Sequence, residues 1–223
     1  MLTHPFTIFE PYRDILDVRM LTRDDAVSSD TDMQRVLQTS EVASLDQVHG
    51  NRCVVLRSAS NRIEKADAVA TDHLGLTLTI RFADCQNFIV FAPEKNILCL
   101  IHAGWQGVRK GVIPAAFKLL QSEWGVDPKE ALVAAGPSLC MKCADFTDPK
   151  SEAPELASYV QGKCIDLNHA ADEQLFSLGV STNHFERLEA CTRCLPDRYW
   201  TYRGGKKEVT EGGMRNVLAA TLL

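Results

Sequence analysis

Two apolar runs joined by a four-residue turn constrain this chain more than any other stretch of it. Phe88-Ile-Val-Phe-Ala92 and Ile97-Leu-Cys-Leu-Ile101 carry no charged residue, and continuous runs of this kind belong to strands buried on both faces. Pro93-Glu-Lys-Asn96 between them has the length and the residues of a hairpin loop. Further strands are predicted at Cys53–Arg57, Leu76–Phe82 and Leu132–Ala135. In Leu76-Thr-Leu-Thr-Ile-Arg-Phe82 apolar and polar residues alternate, the period of a half-buried strand.

After Gly104 the period changes. Val108, Val112, Ile113, Ala116, Leu119 and Leu120 recur at helical spacing, with Gly125 beyond as a C-terminal cap. One long helix is therefore expected to open behind Ile101. A second is predicted over Ala170–Leu178, with Asp166 or Asn168 near its start and Gly179 at its stop, and a third over Met214–Leu222. Residues 24–32 read as a polar acidic loop, and Gly204-Gly-Lys-Lys207 and Gly212-Gly213 as turns. Their glycine–lysine spacing does not make a phosphate loop. No repeat or linker divides the chain, so residues 1–223 are expected to form a single α+β domain with a mixed sheet.

Composition narrows the function. Of 223 residues 45% are hydrophobic and 24% charged, which is ordinary for a globular protein. A net charge of −5 supplies no basic field for nucleic acid or an anionic membrane. No apolar run reaches the ~18 residues of a membrane span, and the N-terminus lacks the basic start of a signal peptide. A cytoplasmic location is expected, where the eight cysteines would stay reduced and point to metal or catalysis before disulfides.

Three segments place metal-type ligands at strand ends: Gln47-Val-His49-Gly50, Ala83-Asp84-Cys85 and His102-Ala-Gly104-Trp105. Strands in a sheet lie ~4.8 Å apart, so residues at neighbouring strand ends can converge. Two imidazoles and a thiolate suit Zn²⁺ and leave a fourth position open, where bound water would reach a pKa of about 7. Taken singly, a buried cysteine is ordinarily a small hydrophobe, as Cys53, Cys99 and Cys164 are read here. It is the joint placement that nominates His49, Cys85 and His102.

Cys140-Met-Lys-Cys143 and Cys191-Thr-Arg-Cys194 form a second candidate set. Four thiolates would suit a structural zinc or an iron–sulfur centre. The pairs are 48 positions apart, beyond the ~15–20 of a zinc ribbon, so isolated surface thiols and a redox pair stay open. Trp105 is a candidate to stack on a flat ring, or else a core anchor. In Trp200-Thr-Tyr202-Arg203, Tyr202 reads as an ordinary strand residue and Arg203 as a fork for phosphate or carboxylate.

In order, Gln47-Val-His-Gly50, Ala66-Asp67-Ala68, Thr71-Asp72, Ala83-Asp-Cys85, His102-Ala-Gly-Trp105 and Gly136-Pro-Ser138 resemble the YfiH-type family, also called the laccase-domain or multicopper polyphenol oxidase family. Weaker echoes run through Asp166-Leu167, Gln174-Leu175, Gly179-Val180, Cys191-Thr192 and Tyr202-Arg203, so the resemblance extends from about Arg23 to the C-terminus. It implies a sandwich-like core of mixed sheets with flanking helices, and a metal held by His49, Cys85 and His102. It also implies zinc-dependent phosphorolysis of adenosine, inosine and methylthioadenosine, with adenosine deamination as a further activity. Gln47 and Trp105 are then candidates to contact the nucleoside, and Arg23 and Arg203 to hold phosphate. Copper fits less well, since a laccase needs several coppers and this chain has six histidines.

The chain departs from the family pattern at Asp24-Asp-Ala-Val-Ser28, where relatives carry a Gly-Gly-Val-Ser type loop. It departs again at Ala171, at Glu211-Gly-Gly-Met214, and at Leu139-Cys-Met-Lys-Cys143, where relatives more often have Gly-Pro-Cys-Cys. Two rival readings follow: a metal-free hydrolase with Cys85 as nucleophile beside His102, and a non-enzymatic redox or partner-binding member that uses its C-x-x-C pairs.

Overall fold

A computed structural model describes residues 1–205 and 211–223; of the expected Gly204–Lys207 turn, Lys206 and Lys207 lie outside them. In chain order the strands are β1 (Leu2–Thr3), β2 (Leu16–Leu21), β3 (Val42–Asp46), β4 (Cys53–Val55), β5 (Ser60–Lys65), β6 (Ala68–Thr71), β7 (Thr77–Phe82), β8 (Gln86–Ala92), β9 (Ile97–Ala103), β10 (Leu132–Ala135), β11 (Val160–Gln161), β12 (Cys164–Ile165), β13 (Phe185–Arg187) and β14 (Asn216–Leu222). The α-helices are α1 (Asp30–Leu37), α2 (Trp105–Arg109), α3 (Val112–Trp124), α4 (Pro149–Glu152) and α5 (Leu167–Leu178). One six-stranded sheet has the order β1-β2-β14-β7-β3-β5 and the other β13-β10-β8-β9-β6-β4. Both mix parallel and antiparallel pairs, which is the α+β class expected.

The β8–β9 hairpin accounts for the layering. Its strands pair antiparallel with Phe88 opposite Ile101 and Val90 opposite Cys99. Side chains alternate between faces. Phe88, Val90, Cys99 and Ile101 join α3 through Val112, Ile113, Ala116, Phe117 and Leu120. Ile89, Phe91, Leu98 and Leu100 face the other sheet, meeting Leu78 and Ile80 of β7 and Leu218 and Ala220 of β14. That sheet's outer face carries Val217 and Ala219 against Met33 and Leu37 of α1. The order is helix, sheet, sheet, helix.

Four expectations change. Met214–Leu222 is not a helix: Asn216–Leu222 is the strand β14, hydrogen-bonded between β2 and β7. A strand covered on both faces shows no alternation, and Leu-Ala-Ala-Thr-Leu has helical propensity that pairing on two edges overrides. Thr77 and Thr79 of β7 do alternate with Leu78 and Ile80, but their face is covered too. Thr79 Oγ1 donates to the Ala43 carbonyl at 3.1 Å and Thr77 shares a 2.8 Å hydrogen bond with Thr221. The helix behind β9 is two helices, broken where Gly111 adopts φ +73°. Residues 24–32 are more than a loop, because Ser29 and Asp32 form a capping box that starts α1. Among the described residues, no helix is long and apolar enough to cross a membrane.

Candidate metal centre and its cavity

The site lies on the seam between the sheets. At this end the chain passes from one sheet to the other between β3 and β4, between β5 and β6, between β7 and β8, and again between β13 and β14. The first three crossings deliver His49, Asp67 and Cys85, while His102 is the penultimate residue of β9. His49, Asp67 and Cys85 stand just before β4, β6 and β8, and β8-β9-β6-β4 are consecutive in one sheet, so the set converges at neighbouring strand ends as expected. Unusual backbone is needed at His49, with φ +55°, and at Asp84 just before Cys85, with φ +85°. Asp84 is held there by its own carboxylate, which accepts from Thr192 Oγ1 and from the Arg203 amide, each at 2.7 Å. Strained backbone of this kind persists where surrounding contacts over-determine it.

The ligand atoms of His49, Cys85 and His102 all lie within 4.8 Å of one another. Cys85 Sγ is 3.8 Å from His49 Nε2, and the two imidazoles meet edge to face with centroids 4.9 Å apart. Zn–N and Zn–S bonds of about 2.1 and 2.3 Å put tetrahedral ligand atoms about 3.6 Å apart, so this donor set fits a metal ion. Gly104 supplies the room: a Cβ there would lie 2.8 Å from His49 Cδ2 and 3.0 Å from Cys85 Sγ.

Asp67 organises the set, and sequence reasoning did not single it out. It is 0% exposed. Its Oδ1 accepts from His102 Nδ1 and the His49 amide, both at 2.9 Å, and its Oδ2 from the amides of Gly50 at 2.6 Å and Val48 at 3.3 Å. With Nδ1–H committed, His102 presents Nε2, the usual carboxylate–histidine arrangement behind a metal. The available signal was an acid between two alanines, Ala66-Asp67-Ala68, leading into a fully buried strand. Burial opposes ionisation of Asp67, but the His102 and backbone donors hold its pKa below the ordinary carboxylate value. Burial likewise pushes the Cys85 thiol up, yet His102 and His49 outweigh it and bring the pKa to about 6. Burial would lower His102, but the facing thiolate and Asp67 raise it to about 9.

A cavity of about 630 Å³ opens from these ligands. Arg62, Arg81, Arg203 and Arg215 line it with Trp105 and Leu139. The other expected residues distribute unevenly. Gln47 reaches the cavity, but its amide is engaged twice by the Arg81 backbone, Nε2 to O and N to Oε1, each at 2.8 Å. Trp105 starts α2 and packs edge to face on Phe146 at 5.5 Å. Arg203 stands over the Phe146 ring at 5.0 Å and bonds Asp145. Tyr202 is in a turn at the rim, not on a strand. Arg23 stands apart from the lining residues: its guanidinium lies 4.8 Å over Trp200 and donates to the Pro196 carbonyl at 2.6 Å. The four remaining candidates, Cys140, Cys143, Cys191 and Cys194, come together with ligand atoms within 4.8 Å of one another.

A two-sheet α+β fold with a His/Cys/His cluster on the seam defines the class. The chain matches the family described as multi-copper polyphenol oxidoreductase laccase over residues 10–221, and it belongs to that family. Purine nucleoside phosphorylase SCO2081 of Streptomyces coelicolor is 29% identical over 173 residues, covering 74% of this chain and 70% of that protein. Purine nucleoside phosphorylase YlmD of Geobacillus stearothermophilus is 29% identical over 148 residues, 61% of this chain but 54% of its own length. Adenosine deaminase RL5, from an unknown prokaryotic organism, is 26% identical over 182 residues, covering 77% and 68%. The crystal structure of Neisseria meningitidis protein NMB0706 shares the fold with a TM-score of 0.75, covering 99% of this chain and 98% of that one at 19% identity.

Proposed function

We propose that this chain is a zinc-dependent purine nucleoside phosphorylase acting on adenosine, inosine and methylthioadenosine, with adenosine deamination as a further activity. The observation that carries the reading is a three-ligand metal set opening into an arginine-lined cavity, in a chain whose relatives bear those names. In phosphorolysis a phosphate oxygen bonds to the anomeric carbon as the glycosidic C–N bond breaks. The bonding pair leaves with the purine, which takes up a proton, and ribose 1-phosphate remains.

Arg81 suits the phosphate. Its guanidinium is nearly buried; among the described residues its Nε has no hydrogen-bond partner, its Nη2 reaches the Gly213 carbonyl only at 3.4 Å, and the Asp30 carboxylate stands 4.0 Å away. A buried guanidinium so weakly paired favours an incoming anion. Leu139, Leu167 and the indole of Trp105 offer apolar cover for the flat base. His49, Cys85 and His102 would hold the metal, with Asp67 fixing which imidazole nitrogen of His102 is offered. A zinc ion bound there supplies Lewis-acid charge.

The test is incubation of zinc-loaded protein with adenosine and inosine, with and without phosphate. Phosphate-dependent release of adenine or hypoxanthine with ribose 1-phosphate is expected, and inosine formed from adenosine marks deamination. If neither free base nor ribose 1-phosphate accumulates, nucleoside phosphorolysis is the wrong reading. One observation favours a second: a thiol of pKa about 6 beside an imidazole is also a nucleophile for hydrolysis without metal. Stoichiometric zinc that disappears in Cys85→Ala would exclude it.

A further inference from the structure

We propose that Cys140, Cys143, Cys191 and Cys194 bind a Zn²⁺ ion as four thiolates, a structural centre separate from the His49/Cys85/His102 set, and that it clamps the two loops forming one wall of the cavity. The spacing that spoke against a zinc ribbon is bridged by backbone pairing. Ser138 and Cys191 form a parallel bridge, with the Ser138 amide donating to the Ala190 carbonyl and the Thr192 amide to Ser138. That ladder sets the two C-x-x-C turns side by side. Each closes on its own first cysteine: the Cys143 amide bonds the Cys140 carbonyl at 2.9 Å, and the Leu195 amide bonds the Cys191 carbonyl at 3.0 Å.

The sulfurs then surround a point. Cys143 and Cys194 Sγ are 3.6 Å apart, and all four lie within 4.8 Å of one another. A zinc tetrahedron with 2.3 Å bonds has sulfur–sulfur edges of about 3.8 Å. All four cysteines are free thiols, and the 3.6 Å pair is far outside bonding distance for a disulfide. A polynuclear iron–sulfur core would hold its thiolates further apart than one tetrahedral ion does, so a single ion fits better. The surroundings favour thiolate. The Cys140 amide points at Cys191 Sγ from 3.3 Å. Lys142 and Arg193 sit inside the two pairs, and Arg193 Nη1 ties the first loop to the second, donating to the Cys143 carbonyl at 3.3 Å and to Asp145 Oδ1 at 2.9 Å.

The clamp has a reach beyond itself. Leu139 adjoins Cys140 and lines the cavity; its amide bonds the Asp84 carbonyl at 3.1 Å. Thr192 adjoins Cys191, and its hydroxyl bonds the Asp84 carboxylate. Both cysteine loops therefore grip the strained residue that precedes Cys85.

The test is metal analysis of reduced, zinc-loaded protein. His49→Ala/His102→Ala removes the first set and is expected to retain one zinc per chain. Its cobalt-substituted form should show the strong sulfur-to-cobalt charge-transfer absorption of a tetrathiolate. Cys143→Ser/Cys194→Ser should lose one zinc per chain, with backbone exchange over 138–146 and 191–204 at least about tenfold faster. Should the cysteine variant fail to fold, X-ray absorption at the zinc edge of the histidine variant decides, with four sulfur ligands expected. The proposal is overturned if the histidine variant, its thiols confirmed reduced, holds no metal. It is equally overturned if that metal is iron, or if its ligands are not sulfur.

Discussion

Replacing Asp67 with asparagine tests how the metal set is held. The carboxylate accepts four hydrogen bonds, two on each oxygen. An amide has one oxygen, so in either orientation its NH2 group faces two N–H donors. If the amide oxygen stays toward His49 and His102, the amides of Gly50 and Val48 lose their acceptor. If it turns, His102 Nδ1 loses its partner and the imidazole is free to rotate. Two charge-assisted hydrogen bonds of about 1.5–3 kcal/mol each are at stake, part of which the amide recovers by small shifts, leaving an expected loss of about 2–4 kcal/mol in folding stability. Loss of the carboxylate behind a ligating histidine costs about 10–100-fold in metal affinity. The assay is zinc competition against a chromophoric chelator, run in the Cys143→Ser/Cys194→Ser background so that only one set titrates, with urea unfolding in parallel. Zinc affinity for Asp67→Asn within about twofold of the parent, in a protein with native circular dichroism, would refute the orienting role of Asp67.

Gly104→Ala should empty the same set without unfolding the chain. Gly104 has φ −61°, which alanine adopts freely, so zinc stoichiometry should drop by one while the melting temperature moves by only a few degrees. In metal-stripped protein, the pKa of about 6 at Cys85 makes the thiolate the form present above that pH and the thiol the form below it. Alkylation of Cys85 should therefore rise through pH 6, and in His102→Asn the rise should move upward towards the ordinary thiol range. Leu100, fully buried between the sheets, should cost about 2–5 kcal/mol when cut to alanine, read by urea unfolding, with zinc content retained.

Local signals were read correctly where the cause was local. The β8–β9 hairpin follows from two uncharged runs and a turn, and His102-Ala-Gly-Trp105 follows from the strand it ends. What escaped was set by partners distant in sequence. The helical propensity of Leu218-Ala-Ala-Thr221 says nothing of the two strands that sandwich it. Asp67 looks like any acid until three backbone amides and an imidazole are placed around it. The C-x-x-C pairs stayed undecided because the Ser138–Cys191 bridge that joins them is tertiary. Gly111 could have been read as a break, since a glycine after Arg109-Lys110 is a common helix stop, but the apolar spacing ran through it.

Because the chain crosses between sheets at this end, an ion held by His49, Cys85 and His102 would act as a rivet through both layers. His49 and Cys85 each sit on a connection whose two ends lie in different sheets, and His102 anchors the ion to the longest hairpin. Opening the sandwich at that edge would require breaking coordination first, so metal occupancy should govern the rate at which the two layers part, and not only the equilibrium between folded and unfolded chain. Among the described residues the opposite edge has no such ligand set, and the first unzipping of the native layers should begin there.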